Sequence, residues 1–222
     1  MKRLATRIKS LIIPVGLAFL AAFIGIGCED GGGGSRHNHD AIDFGNNNRD
    51  IYVAFGDSIT GDYNFGVTPY PPRLASMLGK TVINEGRGGE TSSGGAGRVR
   101  SVLSRHKPGY LLILYGINDL LHGNSADGII DNLRHIIRTA KGNKTVPVIA
   151  TLTPVTGRYH LWSSGVDSLN DRIRDLARQE DAWLVDLANE FNYNERYMSI
   201  DGLHPNEDGC QLMAMAFYDE VN

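Results

Sequence analysis

From residue 51 to the C-terminus, short unbroken apolar runs alternate with longer stretches whose apolar residues recur every three or four positions. The short runs cover residues 51–55, 81–84, 110–115, 146–152 and 182–187. They do not alternate apolar with polar, so they predict strands covered on both faces, as in a parallel sheet. The longer stretches predict helices with one apolar face. Ile129, Ile130, Leu133, Ile136, Ile137 and Ala140 mark one such face, and Val166, Leu169, Ile173, Leu176 and Ala177 another. Further helices are predicted over residues 71–78, 98–106 and 206–221. This alternation gives an α/β chain with right-handed crossovers: a three-layer α/β/α sandwich around a central parallel five-stranded sheet. Ligands of such sheets bind beyond the carboxyl ends of the strands. Gly56-Asp57-Ser58 and residues 85–89, 116–119 and 153–156 each follow a predicted strand, so they should meet on one edge.

The first 28 residues break this pattern. Lys2, Arg3, Arg7 and Lys9 precede an apolar run from Leu11 to Gly27, and Gly25-Ile26-Gly27-Cys28 closes it. A basic start, an apolar stretch and small residues at its end read as an export signal. The segment also resembles a bacterial lipoprotein signal. That resemblance implies lipidation of Cys28 and a membrane contact through an N-terminal lipid anchor, in the bacterial envelope facing the periplasm or the cell surface. It departs from the usual pattern at Gly25, where leucine is common. An uncleaved span is the alternative, and Pro14 and the glycines weaken it. Residues 29–48 hold Gly31-Gly32-Gly33-Gly34-Ser35 and Asn46-Asn47-Asn48, the composition of a flexible linker. His37, His39 and Asp40 fall within it, and a solvated tether is a better reading for them than a metal site. Residues 49–222 form the folded domain.

The net charge of −3 becomes more negative once the four basic leader residues are set aside. An acidic body argues against a nucleic-acid partner. There are two cysteines, and a lipidated Cys28 leaves no disulfide to form. Cys210 lies in an apolar helical pattern and reads as a buried thiol.

Two polar segments carry the chemistry. Gly56-Asp57-Ser58-Ile59-Thr60 follows the first predicted strand, and Asp201-Gly202-Leu203-His204-Pro205 precedes the last predicted helix. A serine hydroxyl needs a base to take its proton, and an imidazole base needs a carboxylate to hold its tautomer. Asp201 and His204 are close enough for one turn to join them. Pro205 biases His204 away from the helical region and is suited to the first position of a helix. Taken singly, Ser58 could cap a helix, Asp201 could serve a turn beside Gly202, and Asn118-Asp119 could be a turn and cap.

Four blocks in order resemble the SGNH hydrolases, the GDSL esterase and lipase family. They are Phe55-Gly56-Asp57-Ser58, the run Asn84-Glu85-Gly86-Arg87-Gly88-Gly89-Glu90-Thr91, Gly116-Ile117-Asn118-Asp119, and Asp201-Gly202-Leu203-His204-Pro205. The first block continues with Ile59 where the family name implies leucine. The resemblance implies a flavodoxin-like fold and a serine esterase needing no cofactor and no metal. Ser58 would be the nucleophile, His204 the base and Asp201 its orienter. The N–H groups of Ser58 and Gly89 and the Asn118 amide would form the oxyanion hole. Gly88 is the alternative to Gly89. Glycine there leaves room for substrate against the backbone.

Ser58 lacks the second glycine of the nucleophile elbow, because Thr60 stands in its place. Gly86-Arg87-Gly88-Gly89-Glu90-Thr91 lacks the last glycine of a dinucleotide fingerprint. His106, His122, His135 and His160 are scattered along the chain. Tyr63, Phe65, Tyr70, Tyr159, His160 and Trp162 lie in predicted loops that could flank Ser58. The expected protein is an exported monomeric esterase acting on a small-molecule, glycan or lipid ester, with short acyl or acetyl esters foremost. A lysophospholipase or thioesterase is the nearest alternative. A catalytically silent glycan- or lipid-binding lipoprotein is the alternative from another class.

Overall fold

The structure, a computed structural model, describes residues 37, 39–61 and 66–222. The signal segment, Cys28, Tyr63 and Phe65 lie outside these residues. Strands β1 (Asn48–Gly56), β2 (Thr81–Asn84), β3 (Pro108–Leu114), β4 (Val146–Ala150) and β5 (Trp183–Val185) form one sheet in the order β2-β1-β3-β4-β5. All neighbouring strands pair in parallel. Every residue of the central β3 is buried. Such continuous burial is what its unbroken Tyr110-Leu111-Leu112-Ile113-Leu114 run encodes, each large side chain contributing about 1.5–3 kcal/mol on leaving water. The strand order reverses between β1 and β3, and the crevice at such a reversal is where open α/β sheets bind ligands.

The main helices are α1 (Tyr70–Leu78), α2 (Ser92–His106), α4 (Ala126–Gly142), α5 (Ser163–Glu180) and α7 (Glu207–Val221). Two five-residue helices, α3 (Ile117–Leu121) and α6 (Leu187–Phe191), follow β3 and β5. Helix α1 packs on α7, whereas α2 packs on α4 and α4 on α5. Helix α2 starts six residues earlier than its apolar pattern predicts, through Gly94, Gly95 and Gly97. The reason is packing. A Cβ on Gly95 would come within 2.8 Å of the Tyr115 ring, so the glycine lets the helix lie close against that ring.

The folded domain also begins before residue 49. His37 stacks on Trp183 with ring centroids 3.7 Å apart, and its Nε2 lies 2.9 Å from Glu220 Oε1. His39 Nδ1 lies 2.8 Å from the Tyr110 hydroxyl, and Phe44 packs beside the same ring. The expected solvated linker therefore does not extend over its last residues. The rings of Trp183 and Tyr110 offer apolar faces there, and aromatic side chains cover them.

Candidate active site

Strand β1 ends in Gly56, and the chain turns at once. The Asp57 carbonyl accepts from the Gly61 N–H at 2.9 Å, and Asp57 Oδ1 accepts from the Ile59 N–H at 2.9 Å. Asp57, not Ser58, therefore shapes this turn, and the serine hydroxyl is left to face outward. Ser58 Oγ lies 2.9 Å from His204 Nε2. His204 Nδ1 lies 2.6 Å from Asp201 Oδ2. A carboxylate only accepts, so Nδ1 carries the proton and Nε2 accepts from the Ser58 hydroxyl. Burial alone would raise the Asp201 carboxyl. Hydrogen bonds from the His204 ring and from the Leu203 and His204 N–H groups outweigh it and hold the carboxyl below its ordinary value.

The loop bearing these two residues is tightly specified. Met198 and Pro205 form an antiparallel bridge, and Ser199 N–H donates to the His204 carbonyl at 2.7 Å. Gly202 has φ +78°, and a Cβ on it would sit 2.3 Å from the Thr156 carbonyl oxygen, so only glycine fits. Thr156 N–H in turn donates to the Gly202 carbonyl at 2.8 Å, tying this loop to the one after β4. Pro205 does not open α7 as expected. Asn206 is the cap, its side chain accepting from Gly209 N–H, and the helix starts at Glu207.

The segment after β2 runs beside the end of β1, with Arg87 N–H donating to the Gly56 carbonyl. Glu90 N–H then donates to the Arg87 carbonyl across Gly88 and Gly89, and Gly89 has φ +74°. A turn with positive φ at its third residue demands glycine there. A Cβ on Gly89 would meet no atom of the described residues within 4 Å, whereas one on Gly88 would lie 4.0 Å from Ser58 Cβ. The backbone conformation, rather than lack of room, therefore accounts for glycine at 89. The Asn118 side chain, on α3, donates from Nδ2 to the Glu90 carbonyl at 3.1 Å and to Asp57 Oδ2 at 3.2 Å.

Several polar residues at this edge make contacts that the sequence pattern does not announce. Arg98 is 9% exposed and forks onto Glu90, with contacts of 2.6–2.9 Å, and it donates to the Glu85 carbonyl and the Tyr115 hydroxyl. This cluster fixes the Glu90 turn. Asp119 is buried and receives the Ser92 N–H and hydroxyl at 2.7 and 2.8 Å, anchoring the start of α2. Asp57 is buried as well. Its carboxyl is pushed up to about 7, chiefly by burial; the Ile59 N–H opposes the shift, and the charges of Asp119 and Glu90 add to it.

Of the aromatic candidates for the rim, Tyr70 belongs elsewhere: it is fully buried and stacks on Phe217 at 4.8 Å. Tyr159 and Trp162 lie in the loop joined to Gly202, with Leu161 between them 88% exposed. An apolar groove of about 350 Å³, lined by Val67, Met198 and Ile200, runs beside Asp201. A larger hollow of about 490 Å³ lies by Arg100, His135 and Arg138, away from Ser58, so volume does not locate the chemistry. Among the described residues, no group of His, Cys, Asp or Glu could hold a metal ion, and no helix is long and apolar enough to cross a membrane.

Fold and site together define an α/β/α hydrolase domain of flavodoxin-like strand order. More specifically, the chain belongs to the GDSL-like Lipase/Acylhydrolase family, whose sequence model matches residues 54–212. It is 26% identical over 169 residues to the Escherichia coli protein named thioesterase 1/protease 1/lysophospholipase L1, covering 74% of this chain and 80% of that one. It is 27% identical over 208 residues to the Bacillus subtilis lipoprotein YqeF, covering 79% of each. Among solved structures, the acetylxylan esterase Axe2 of Geobacillus stearothermophilus superposes with a TM-score of 0.67 at 21% identity, over 78% of this chain and 94% of that one.

Proposed function

We propose that this protein is a serine esterase cleaving short acyl or acetyl esters, with Ser58 as nucleophile. The observation that carries this reading is the unbroken row from Ser58 Oγ through the His204 ring to Asp201. Ser58 Oγ attacks the ester carbonyl while its proton passes to His204 Nε2. The carbonyl oxygen becomes an oxyanion facing the Ser58 and Gly89 N–H groups and the Asn118 amide. Collapse breaks the bond to the leaving alcohol, which takes the proton from His204. Water then enters by the same route, releases the acid and restores Ser58. Asp201 orients His204 and stabilises its positive charge throughout.

The exposed Leu161 and the apolar groove by Asp201 favour a second reading, in which the substrate is a lysophospholipid or an acyl thioester with a longer acyl chain, as the E. coli relative's name suggests. We place the enzyme in the bacterial envelope, exported and lipidated at Cys28, and the similarity to a lipoprotein supports this placement; we take it to act as a monomer.

Two measurements test the reading. A fluorophosphonate should label the protein at Ser58 alone. An ester panel of rising acyl length, with acetylated glycans included, should give its highest kcat/KM at two to four carbons. Absence of labelling would favour the silent binding protein, and a peak at long chains would favour the second reading. Intact mass from membranes should fit a lipidated chain beginning at Cys28, and another N-terminus would reject lipidation.

A further inference from the structure

Asn118 and the Ser58 turn come from strands far apart in sequence, yet an oxyanion hole needs them at a fixed separation. One buried carboxyl spans the gap. Asp57 Oδ1 takes the Ile59 N–H of the serine turn, and Asp57 Oδ2 takes the Asn118 Nδ2–H. The remaining Asn118 hydrogen goes to the Glu90 carbonyl, and the Arg98 fork grips the Glu90 side-chain carboxylate. We propose that Asp57 is a positioning residue that couples the serine turn to the Asn118 donor, so that the two halves of the oxyanion hole move as one unit. The proposal rests on the reading of Asn118 as an oxyanion donor.

The chemistry of the pairing fits this role. An ionised carboxylate would compete with the oxyanion for the Asn118 hydrogen, since both are anionic acceptors. Burial, with the charges of Asp119 and Glu90 nearby, favours the neutral carboxyl, against the opposing Ile59 N–H. A neutral carbonyl oxygen orients the amide and yields its hydrogen once negative charge develops on the substrate. Asp57 touches neither substrate nor the transferred proton, so it acts through Asn118 and through the turn.

A double-mutant cycle on the full chain tests it. Asn118→Ala should lower kcat roughly 10²- to 10³-fold. Asp57→Ala should lower kcat about 10- to 10²-fold, with KM changed by no more than about threefold. In the Asn118→Ala background, Asp57→Ala should cost no more than about threefold further, because the group it positions is gone. Equal losses in both backgrounds would overturn the proposal while leaving Asn118 its role. No loss from Asn118→Ala would overturn the oxyanion reading itself. If Asp57→Ala does not fold, Asp57→Leu, of similar branched shape and without an acceptor, goes through the same cycle with the same two outcomes. A change in KM alone would mark Asp57 as merely structural.

Discussion

At the carboxyl edge of the sheet, Asp57, Ser92, Asn118 and Asp119 are buried and bonded to one another or to backbone. At the amino edge, charged residues pair in solvent instead: Lys144 with Asp43, Lys141 with Asp181 and Lys80 with Asp50. The same strands join both edges, so the difference is not one of fold. Buried polar groups are costly unless satisfied, and they hold geometry tightly when they are. Exposed pairs contribute little and hold little in place. The carboxyl edge should therefore be sensitive to single atoms and the amino edge tolerant of whole side chains.

The sharpest contrast comes at Ser58. Ser58→Ala should lower kcat by about three orders of magnitude or more while the melting temperature stays near wild type. A purified, fully active variant would remove the carboxyl edge as the catalytic one. Gly202→Ala comes next. Its new Cβ would overlap the Thr156 carbonyl, and φ +78° strains any other residue. We expect a stability loss of about 1–3 kcal/mol and at least a tenfold fall in kcat/KM, as the Asp201–His204 loop shifts. Unaltered activity would mean that this loop is not held by Gly202.

A smaller effect separates the edges by pH. The folded-state carboxyl of Asp57 lies above its unfolded value, so its contribution to stability is complete below about pH 4 and is lost as pH rises through about 7. Asp57→Asn removes that dependence. Its melting temperature relative to wild type should rise between pH 5 and pH 8, and a constant difference in thermal scans would contradict the buried, raised carboxyl. The smallest effect belongs to the amino edge. Lys141→Ala should leave kcat/KM unchanged and shift the melting temperature by no more than about 1 °C. A clear loss of rate there would break the contrast.

The five strands were legible because parallel strands buried on both faces read as continuous apolar runs, and β2 matched residue for residue. Helices α4 and α5 were legible through their apolar periodicity. Helices α3 and α6 were not, since five residues are too few to display a period. Ser58, His204, Asp201, Asn118 and Gly89 stood out because short motifs hold them. Asp57 and Glu90 sat inside those motifs, but their contacts did not. Asn118 and Asp57 are 61 residues apart, and only the folded sheet brings them within reach. Arg98 looked like an ordinary helix residue because nothing in the sequence around it announces burial. The histidines at 37 and 39 look like tether in the sequence because glycine and asparagine dominate the stretch around them, while their ring partners lie on β3 and β5.

That N-terminal strap bears on how the domain meets mechanical load. A pull applied just ahead of His37 would reach the His37 and His39 ring contacts before it reaches β1. Beyond them the load would run along β1. This strand pairs in parallel with β2 from Ile51 to Ala54 on one side and with β3 from Tyr52 to Gly56 on the other. Force along a strand held on both sides strains its rungs together, whereas force across an edge strand opens them one after another. A low-force release followed by a high-force rupture, in single-molecule pulling from the N-terminus, is the expected record. The nucleophile lies at the far end of that loaded strand, so the site should keep its shape until the sheet itself gives way.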